Sequence, residues 1–136
     1  MEIAFPNLGW ILPPVSETAI LLLEDSLELG ALTMDVLNKA GYGSVRHVVN
    51  NEDAIAALED EGFDLCIFDL RLQGVTCEAA MDAALDQDIP VILTSGNSFE
   101  VPVRSKGYVF VEKPTARERL AKAIEEALDG TGFRNR

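Results

Sequence analysis

The chain has 136 residues, of which 48% are hydrophobic, so it can bury the core of one domain but has no room for a second. Its 11 Lys and Arg stand against 23 Asp and Glu, a formal net charge of −12 that argues against nucleic acids and anionic membrane surfaces as partners. Two cysteines are too few for a disulfide framework, and no apolar run approaches the ~20 residues that span a bilayer. We therefore expect a cytoplasmic protein.

The chain is predicted to have three parts. Residues 1–18 form an N-terminal extension, residues 19–129 a single domain, and residues 130–136 a C-terminal tail. The extension contains Trp10 and three prolines, which preclude a long helix and predict an arm lying on the domain. It has no basic start before its apolar residues and so does not resemble a signal peptide.

Four apolar runs in the domain end in side chains that can hold a metal ion or a phosphate group. The runs are Ile20–Asp25, Leu65–Asp69, Val91–Ser95 and Val109–Lys113. Because they lack polar alternation, they predict strands buried on both faces, as in a parallel sheet covered by helices. A further strand at 44–49 contains Arg46 and His47 and is expected at the edge of the sheet.

Helices are predicted between these strands. Ser26 can cap the first, which runs to about Ala40 and ends at Gly41. Its predicted buried face consists of Leu29, Leu32, Val36 and Ala40. Further helices are predicted from Asn51, from Cys77 and, through a capping box, from Thr115.

The end of the domain differs from this regular alternation. The segment 96–107, between the fourth and fifth predicted strands, is short and contains Pro102. The helix expected there is therefore reduced to one or two turns. The last helix is predicted to bury Leu120, Ile124, Ala127 and Leu128.

Strands alternating with helices predict an α/β fold. We expect a doubly wound, five-stranded parallel sheet in the flavodoxin-like order 2-1-3-4-5, with three α/β/α layers. In this order the first and third strands are neighbours, which brings Glu24 and Asp25 beside Asp69. Three carboxylates in one cleft suit Mg²⁺. Asp69 could then act as a nucleophile towards phosphorus, with Lys113 and Thr94 stabilising the phosphoryl group.

Each of these residues also has an ordinary structural interpretation. The acid pair could be the acidic first turn of a helix, Asp69 a turn residue, and Lys113 a surface lysine before a helix. Their joint occurrence at strand ends makes the functional interpretation the better one. His47 and Cys66 are interpreted as structural, and Cys77 as the more exposed cysteine.

The ordered strand-end residues resemble the receiver domain of bacterial two-component response regulators, over about Ala19–Leu128. The family pattern has an acidic pair after the first strand, an aspartate after the third, Thr or Ser after the fourth and Lys-Pro after the fifth. The corresponding residues here are Glu24 and Asp25, Asp69, Thr94, and Lys113 with Pro114.

The resemblance implies a role for each residue. Asp69 would be the phospho-acceptor, and Thr94 and Phe110 would be the switch residues. The metal ligands would be Glu24, Asp25, Asp69 and the backbone carbonyl of Arg71. The bond between Lys113 and Pro114 would be cis.

The function implied is that of a single-domain response regulator. It would accept a phosphoryl group from a phosphohistidine of a sensor histidine kinase or a histidine phosphotransfer protein, and would then change its binding to a downstream protein target. Such a protein catalyses its own phosphoryl transfer and dephosphorylation but is a signalling protein, not an enzyme in the usual sense. A monomer or weak homodimer is expected.

Two other functions fit parts of the pattern. The first is a receiver-like interaction module that works without phosphorylation, which the complete set of acids, hydroxyl and lysine disfavours. The second is a phosphatase of the haloacid dehalogenase type, which also uses an aspartate after a strand. That family has a second aspartate two residues later, where this chain has Arg71.

Three departures from the family pattern stand out. Gln73 replaces a usual proline and Cys77 a usual glycine, so the loop after the third strand is expected to differ in shape. The short segment 96–107 resembles a subgroup of stand-alone alphaproteobacterial receivers with a reduced fourth helix. Because receivers signal through the surface around that helix, we predict a distinct partner surface.

Overall fold

Strands and helices alternate along the chain in the computed structural model, which describes residues 17–96, 108–113 and 116–129. The strands are β1 (Ile20–Leu23), β2 (Val45–Val48), β3 (Leu65–Asp69), β4 (Arg71–Leu72), β5 (Val75–Thr76), β6 (Val91–Ser95) and β7 (Tyr108–Glu112). The helices are α1 (Leu27–Lys39), α2 (Asn51–Asp60), α3 (Glu78–Asp86) and α4 (Arg117–Asp129). None of these helices is both long and apolar enough to cross a membrane.

Several predictions fall outside the described residues. These are the reduced helix at 97–107, the peptide bond to Pro114, the cap at Thr115, the extension up to residue 16 and the C-terminal tail.

Five strands form one parallel sheet in the order β2-β1-β3-β6-β7. Numbered along this sheet, the order is the predicted 2-1-3-4-5, so the flavodoxin-like prediction is confirmed. The two remaining strands, β4 and β5, pair antiparallel in a small hairpin directly after β3. At the turn, Gly74 has a φ of +76°, a conformation that favours glycine.

The core lies on both faces of this sheet. Alternate residues of β1, β3 and β6 contact α1 and α4 on one face and α2 and α3 on the other. All residues of these three strands are buried, which explains why their sequences show no polar alternation. In β2 only Val48 is buried, in agreement with its position at the edge. The prediction that Val109–Lys113 is buried on both faces is wrong, because β7 forms the other edge of the sheet and only Val109 and Val111 are buried in it.

The orientation of α1 differs from the prediction. Leu29 is 47% exposed and Leu32 is 62% exposed, whereas Gly30 and Leu37 face inward. The reason is the ring of His47 on β2, which occupies the space beside Gly30. A Cβ added at Gly30 would lie 2.0 Å from His47 Cε1, so only glycine allows α1 to contact β2 here.

Two smaller predictions are also wrong. Leu128 is 42% exposed, because it lies at the margin of the helix face that carries Leu120, Ile124 and Ala127, which are buried as predicted. Cys77 is fully buried rather than exposed. It precedes α3 and its backbone N–H donates to the carbonyl of Leu70 at 2.9 Å, which places the side chain in the core next to α2 and α3.

Candidate functional site

The strand register brings the predicted site residues to one edge of the sheet. Leu23 pairs with Phe68, Phe68 with Leu93, and Asp69 with Thr94. The residues that follow β1 and β7 therefore meet the last residues of β3 and β6. This is the carboxyl edge of a parallel sheet, where ligands of such folds bind.

Three carboxylates converge at this edge. Glu24, Asp25 and Asp69 each offer one oxygen atom, and these atoms lie within 4.8 Å of one another. Glu24 is 4% exposed and Asp69 is 7% exposed, whereas Asp25 is half-buried. Hard oxygen ligands at this separation fit a divalent cation of the Mg²⁺ type.

Lys113 links two of the acids. Its Nζ atom lies 3.1 Å from Glu24 Oε1 and 3.1 Å from Asp69 Oδ2. The backbone N–H of Lys113 donates to the carbonyl of Ser95 at 2.8 Å, so the pairing of β7 with β6 fixes where the side chain begins. The amine is thereby held beside the carboxylate of Asp69.

The pKa values show that Lys113 does not fully compensate these acids. Burial raises the pKa of Asp69, and although Lys113 and the N–H of Arg71 act in the opposite direction, the pKa stays above its usual value. Burial also raises the pKa of Glu24, with the charge of Asp69 adding to the effect. One ammonium group faces three carboxylates, so the donor set fits a group with two positive charges.

Burial acts on Lys113 in the opposite sense. Desolvation alone would lower its pKa, but the charges of Asp69 and Glu24 raise it above the usual value. The amine is therefore protonated at neutral pH and can pair with an anionic oxygen.

Thr94 lies directly beside Asp69. It is 6% exposed, and its hydroxyl donates to the carbonyl of Phe68 at 3.4 Å. Its own carbonyl accepts from the N–H of Leu70 at 2.8 Å, which ties β6 to the chain just after Asp69. The hydroxyl is therefore close to the strand end but directed towards the backbone.

The other two predicted residues lie around the acids. Arg71, in β4, donates its backbone N–H to the carboxylate of Asp69. Phe110, in β7, is half-buried against the core on the α2 and α3 side, in register with Leu93. Phe110 thus lies two strands away from Asp69, with β6 between them, and outside the carboxylate cluster.

Sequence reasoning missed two residues that position Glu24. Ser26, predicted only as a helix cap, also donates its N–H to Glu24 Oε2 at 3.2 Å. The Nε2 atom of His47 lies 2.8 Å from the backbone carbonyl of Glu24 and donates to it. Gly30 was the available signal for this contact, because a glycine within a helix often marks the close approach of another group.

A second polar link supports the neighbouring hairpin. Asn51 donates its amide to the carbonyl of Thr76 at 2.9 Å and accepts from the N–H of Ala80 at 3.2 Å. The start of α2 is thereby joined to both β5 and α3. These bonds fix the position of the β4–β5 hairpin, which follows Asp69.

The family model of the response regulator receiver domain matches residues 20–125 of this chain. The chain belongs to the response regulator receiver family. The match covers all five strands of the sheet and the edge on which Asp69 lies, so the observed fold and the family agree.

A known regulator is similar in sequence to most of this chain. The C4-dicarboxylate transport transcriptional regulatory protein DctD of Rhizobium meliloti (strain 1021) is 28% identical over 116 residues, which are 80% of this chain. That alignment covers 25% of DctD, so the chain spans about a quarter of the length of this relative. The likeness therefore concerns only one part of that regulator.

Solved receivers have the same fold. The chemotaxis response regulator CheY4 of Vibrio cholerae superposes with a TM-score of 0.71 at 21% identity, covering 83% of this chain and 100% of CheY4. The receiver domain of the sensor histidine kinase PA1611 of Pseudomonas aeruginosa PAO1 superposes with a TM-score of 0.75 at 20% identity, covering 84% and 99% of the two chains. That structure contains a magnesium ion coordinated in its active-site cleft.

Proposed function

We propose that this receiver takes a phosphoryl group onto Asp69 from a phosphohistidine, in a Mg²⁺-dependent reaction, and thereby switches its binding to a protein target. The observation that carries the proposal is the geometry around Asp69. Its carboxylate lies 3.1 Å from the Lys113 amine and is grouped with two further acids within 4.8 Å. If Asp69 were only a turn residue, it would need neither a paired lysine nor a cluster of acids of the kind that binds a metal ion.

The chain's own residues support each part of the transfer. An oxygen of Asp69 attacks the phosphorus atom, an O–P bond forms and the P–N bond of the phosphohistidine breaks, so that the imidazole nitrogen leaves with the electron pair and takes up a proton. Lys113 moves from the carboxylates to a phosphoryl oxygen, and the Thr94 hydroxyl is available as a further donor.

The cation would be held by Glu24, Asp25, Asp69 and the carbonyl of Arg71. When bound, Mg²⁺ supplies positive charge that stabilises the charge developing on the transferred group. The charge balance supports this assignment, because three carboxylates cluster within 4.8 Å while the Lys113 amine pairs with two of them, Glu24 and Asp69.

The donor would be a sensor histidine kinase or a histidine phosphotransfer protein, and we propose that the reaction takes place in the cytoplasm. The acceptor chemistry needs no enzyme other than the receiver and its donor. We expect a monomer or weak homodimer, with a downstream protein as the target of the switch.

Intact-mass measurement tests the acceptor. Incubation with Mg²⁺ and acetyl phosphate should add the mass of one phosphoryl group, and chelation of Mg²⁺ should prevent this. Asp69→Asn should abolish the adduct, whereas Asp60→Asn, which changes an exposed aspartate at the end of α2, should leave it unchanged. An adduct that survives Asp69→Asn, or none from acetyl phosphate or from a phosphorylated histidine phosphotransfer protein, refutes the proposal.

Backbone amide spectra test the switch. We propose that phosphorylation draws the Thr94 hydroxyl away from the carbonyl of Phe68 towards the phosphoryl group and moves Phe110 inward. Fluoroberyllate, which mimics the phosphoryl group, should therefore shift the amide signals of both residues in the wild type but not in Asp69→Asn. Unchanged signals at Thr94 and Phe110 would rule the switch out while leaving phosphoryl transfer intact.

A further inference from the structure

The outer surface of α1 carries an apolar groove that the core does not use. Five large hydrophobic side chains are exposed among the described residues, and three of them, Leu27, Leu29 and Leu32, lie on this helix. Leu29 and Leu32 line a groove of about 440 Å³ together with Val36 and, from α4, Leu120. Exposed leucines concentrated on one helix are typical of a surface that another chain segment covers.

We propose that the groove is the docking site of the chain's own N-terminal segment, residues 1–16, with Trp10, Ile11 and Leu12 as the residues that enter it. This goes beyond the proposed function and does not depend on phosphoryl transfer. Four features of the chain favour this segment as the occupant: its composition, its attachment point, its length and its backbone.

The composition of the segment matches the groove. Nine of its sixteen residues are hydrophobic, and Glu2 is its only charged side chain, although the whole chain has a formal charge of −12. Burying such a segment removes apolar surface from water and desolvates few charged side chains of its own. An occupant as acidic as the rest of the chain would lack this advantage, because its charges would have to be desolvated.

The attachment point places the segment within reach. The N–H of Ala19 donates to Asp64 Oδ2 at 2.9 Å, which fixes the chain at the amino edge of the sheet. The chain returns to this same edge after α1, because the N–H of Ile20 donates to the carbonyl of Ser44 at 2.9 Å. The C-terminal half of α1, with Val36, is therefore the part of the groove that the segment meets first.

The lengths are compatible. The 13 residues of α1 span about 20 Å, whereas sixteen extended residues reach up to about 53 Å. The segment can therefore run along the groove from Val36 past Leu32 to Leu29.

The backbone of the segment suits an extended strip. Pro6, Pro13 and Pro14 prevent a helix and lower the conformational entropy that docking must overcome. At its far end the groove is lined by Glu24 and Lys113, so a segment that follows the whole groove reaches the carboxylate cluster. The groove therefore leads from the attachment point of the N-terminal segment to the carboxylate cluster.

Fluorescence of Trp10, the chain's only tryptophan, tests the docking in the full-length protein. The wild type should show blue-shifted emission that acrylamide quenches poorly, and this should not change with protein concentration. In the double variant Leu29→Ser and Leu32→Ser, each lost leucine contact should lower the docking equilibrium constant about tenfold, so the emission should move to that of solvated tryptophan.

The chain offers a matched control. The double variant Leu27→Ser and Leu128→Ser removes two leucines that are also exposed but do not line the groove, so the emission should stay as in the wild type. Circular dichroism should show that both variants fold, since all four side chains are largely at the surface.

Three outcomes would overturn the proposal. The first is solvated Trp10 emission in the wild type, which means that no segment is docked. The second is a blue shift that appears only as the protein concentration and the oligomer mass rise, which makes a second copy the occupant. The third is equal emission in the groove variant and the control variant, which means that Trp10 is buried elsewhere.

Discussion

Asp69 is the residue at which function and stability conflict most directly. It is 7% exposed, and burial raises its pKa despite the nearby Lys113 and the N–H of Arg71. A carboxylate in this position is harder to ionise in the folded chain than in the unfolded one. The folded protein therefore bears an energetic cost for keeping a charged carboxylate at the strand end.

The sign of this effect predicts how Asp69→Asn changes stability. Because the folded pKa of Asp69 is raised, wild-type stability falls as the pH rises from the ordinary aspartate pKa, about 4, to the folded pKa, and the loss persists above it. The variant has no such group, so its melting temperature should exceed that of the wild type at pH 7, with the difference disappearing near pH 4. Thermal unfolding across this pH range measures it.

The exposed Asp60 provides the control for this measurement. Asp60→Asn removes the same charge from the end of α2, where no desolvation is at stake, and should change stability by less than about 0.5 kcal/mol. A melting temperature of Asp69→Asn below that of the wild type at pH 7 would show that the pairing of Asp69 with Lys113 outweighs its burial.

The two cysteines give a second prediction at this scale. Both are buried; burial raises the pKa of Cys77 to about 12, and that of Cys66 further. In the folded protein at pH 8 the thiolate of Cys77 should be about a thousandfold less populated than that of a free cysteine. Ellman's reagent should therefore label neither thiol in the native state and both after unfolding in urea. Rapid labelling of one thiol in the native protein would contradict the buried position of Cys77.

At the scale of the elements, the strands were predictable and the rotation of α1 was not. Strands buried on both faces are uniformly apolar, so β1, β3 and β6 stand out in the sequence whatever their exact contacts. For α1 the pattern was misleading, because Leu29 and Leu32 form an apolar stripe that faces outward. The rotation depends on the contact between Gly30 and His47. A glycine within a helix signals a close approach, but no local pattern identifies the partner, which is seventeen residues away.

Gly30→Ala tests this contact. In an exposed helix the change stabilises by about 0.5–1 kcal/mol, because alanine loses less conformational entropy. Here the new Cβ would lie 2.0 Å from His47 Cε1, so the ring must move away from the carbonyl of Glu24. We expect a net destabilisation of about 1–3 kcal/mol in chemical denaturation.

A double-mutant cycle separates the two contributions. In a His47→Ala background the ring is gone, and Gly30→Ala should become stabilising, as in an ordinary helix. If Gly30→Ala is equally harmful with and without His47, the ring is not what requires a glycine at this position.

At the scale of the whole molecule, the site was more predictable than the surfaces around it. Glu24, Asp69 and Lys113 lie at the ends of parallel strands, and parallel strands must end at one edge, so topology alone brings these residues together. Contacts made across the fold were not predictable in this way. His47 reaches Glu24 from the edge strand, and Cys77 enters the core because the β4–β5 hairpin turns the chain back towards Leu70.

The convergence of acids predicts that Mg²⁺ stabilises the entire domain. An ion that binds only the folded state raises the free energy of unfolding by about 2.7 kcal/mol when its concentration is a hundred times the dissociation constant. Because the three carboxylates come from the ends of β1 and β3, they form the cluster only in the folded chain. Thermal unfolding with increasing Mg²⁺ should therefore show a rising midpoint in the wild type.

Asp25→Asn makes this prediction specific to the cluster. Asp25 is half-buried and lies at the cluster, so its replacement removes one ligand charge with little effect on the core, and the midpoint should rise much less with Mg²⁺. Asp60→Asn removes the same overall charge far from the strand ends and should respond to Mg²⁺ like the wild type. Equal responses in all three proteins would mean that Mg²⁺ acts by screening the −12 net charge, because screening depends on the total charge and not on where the carboxylates lie.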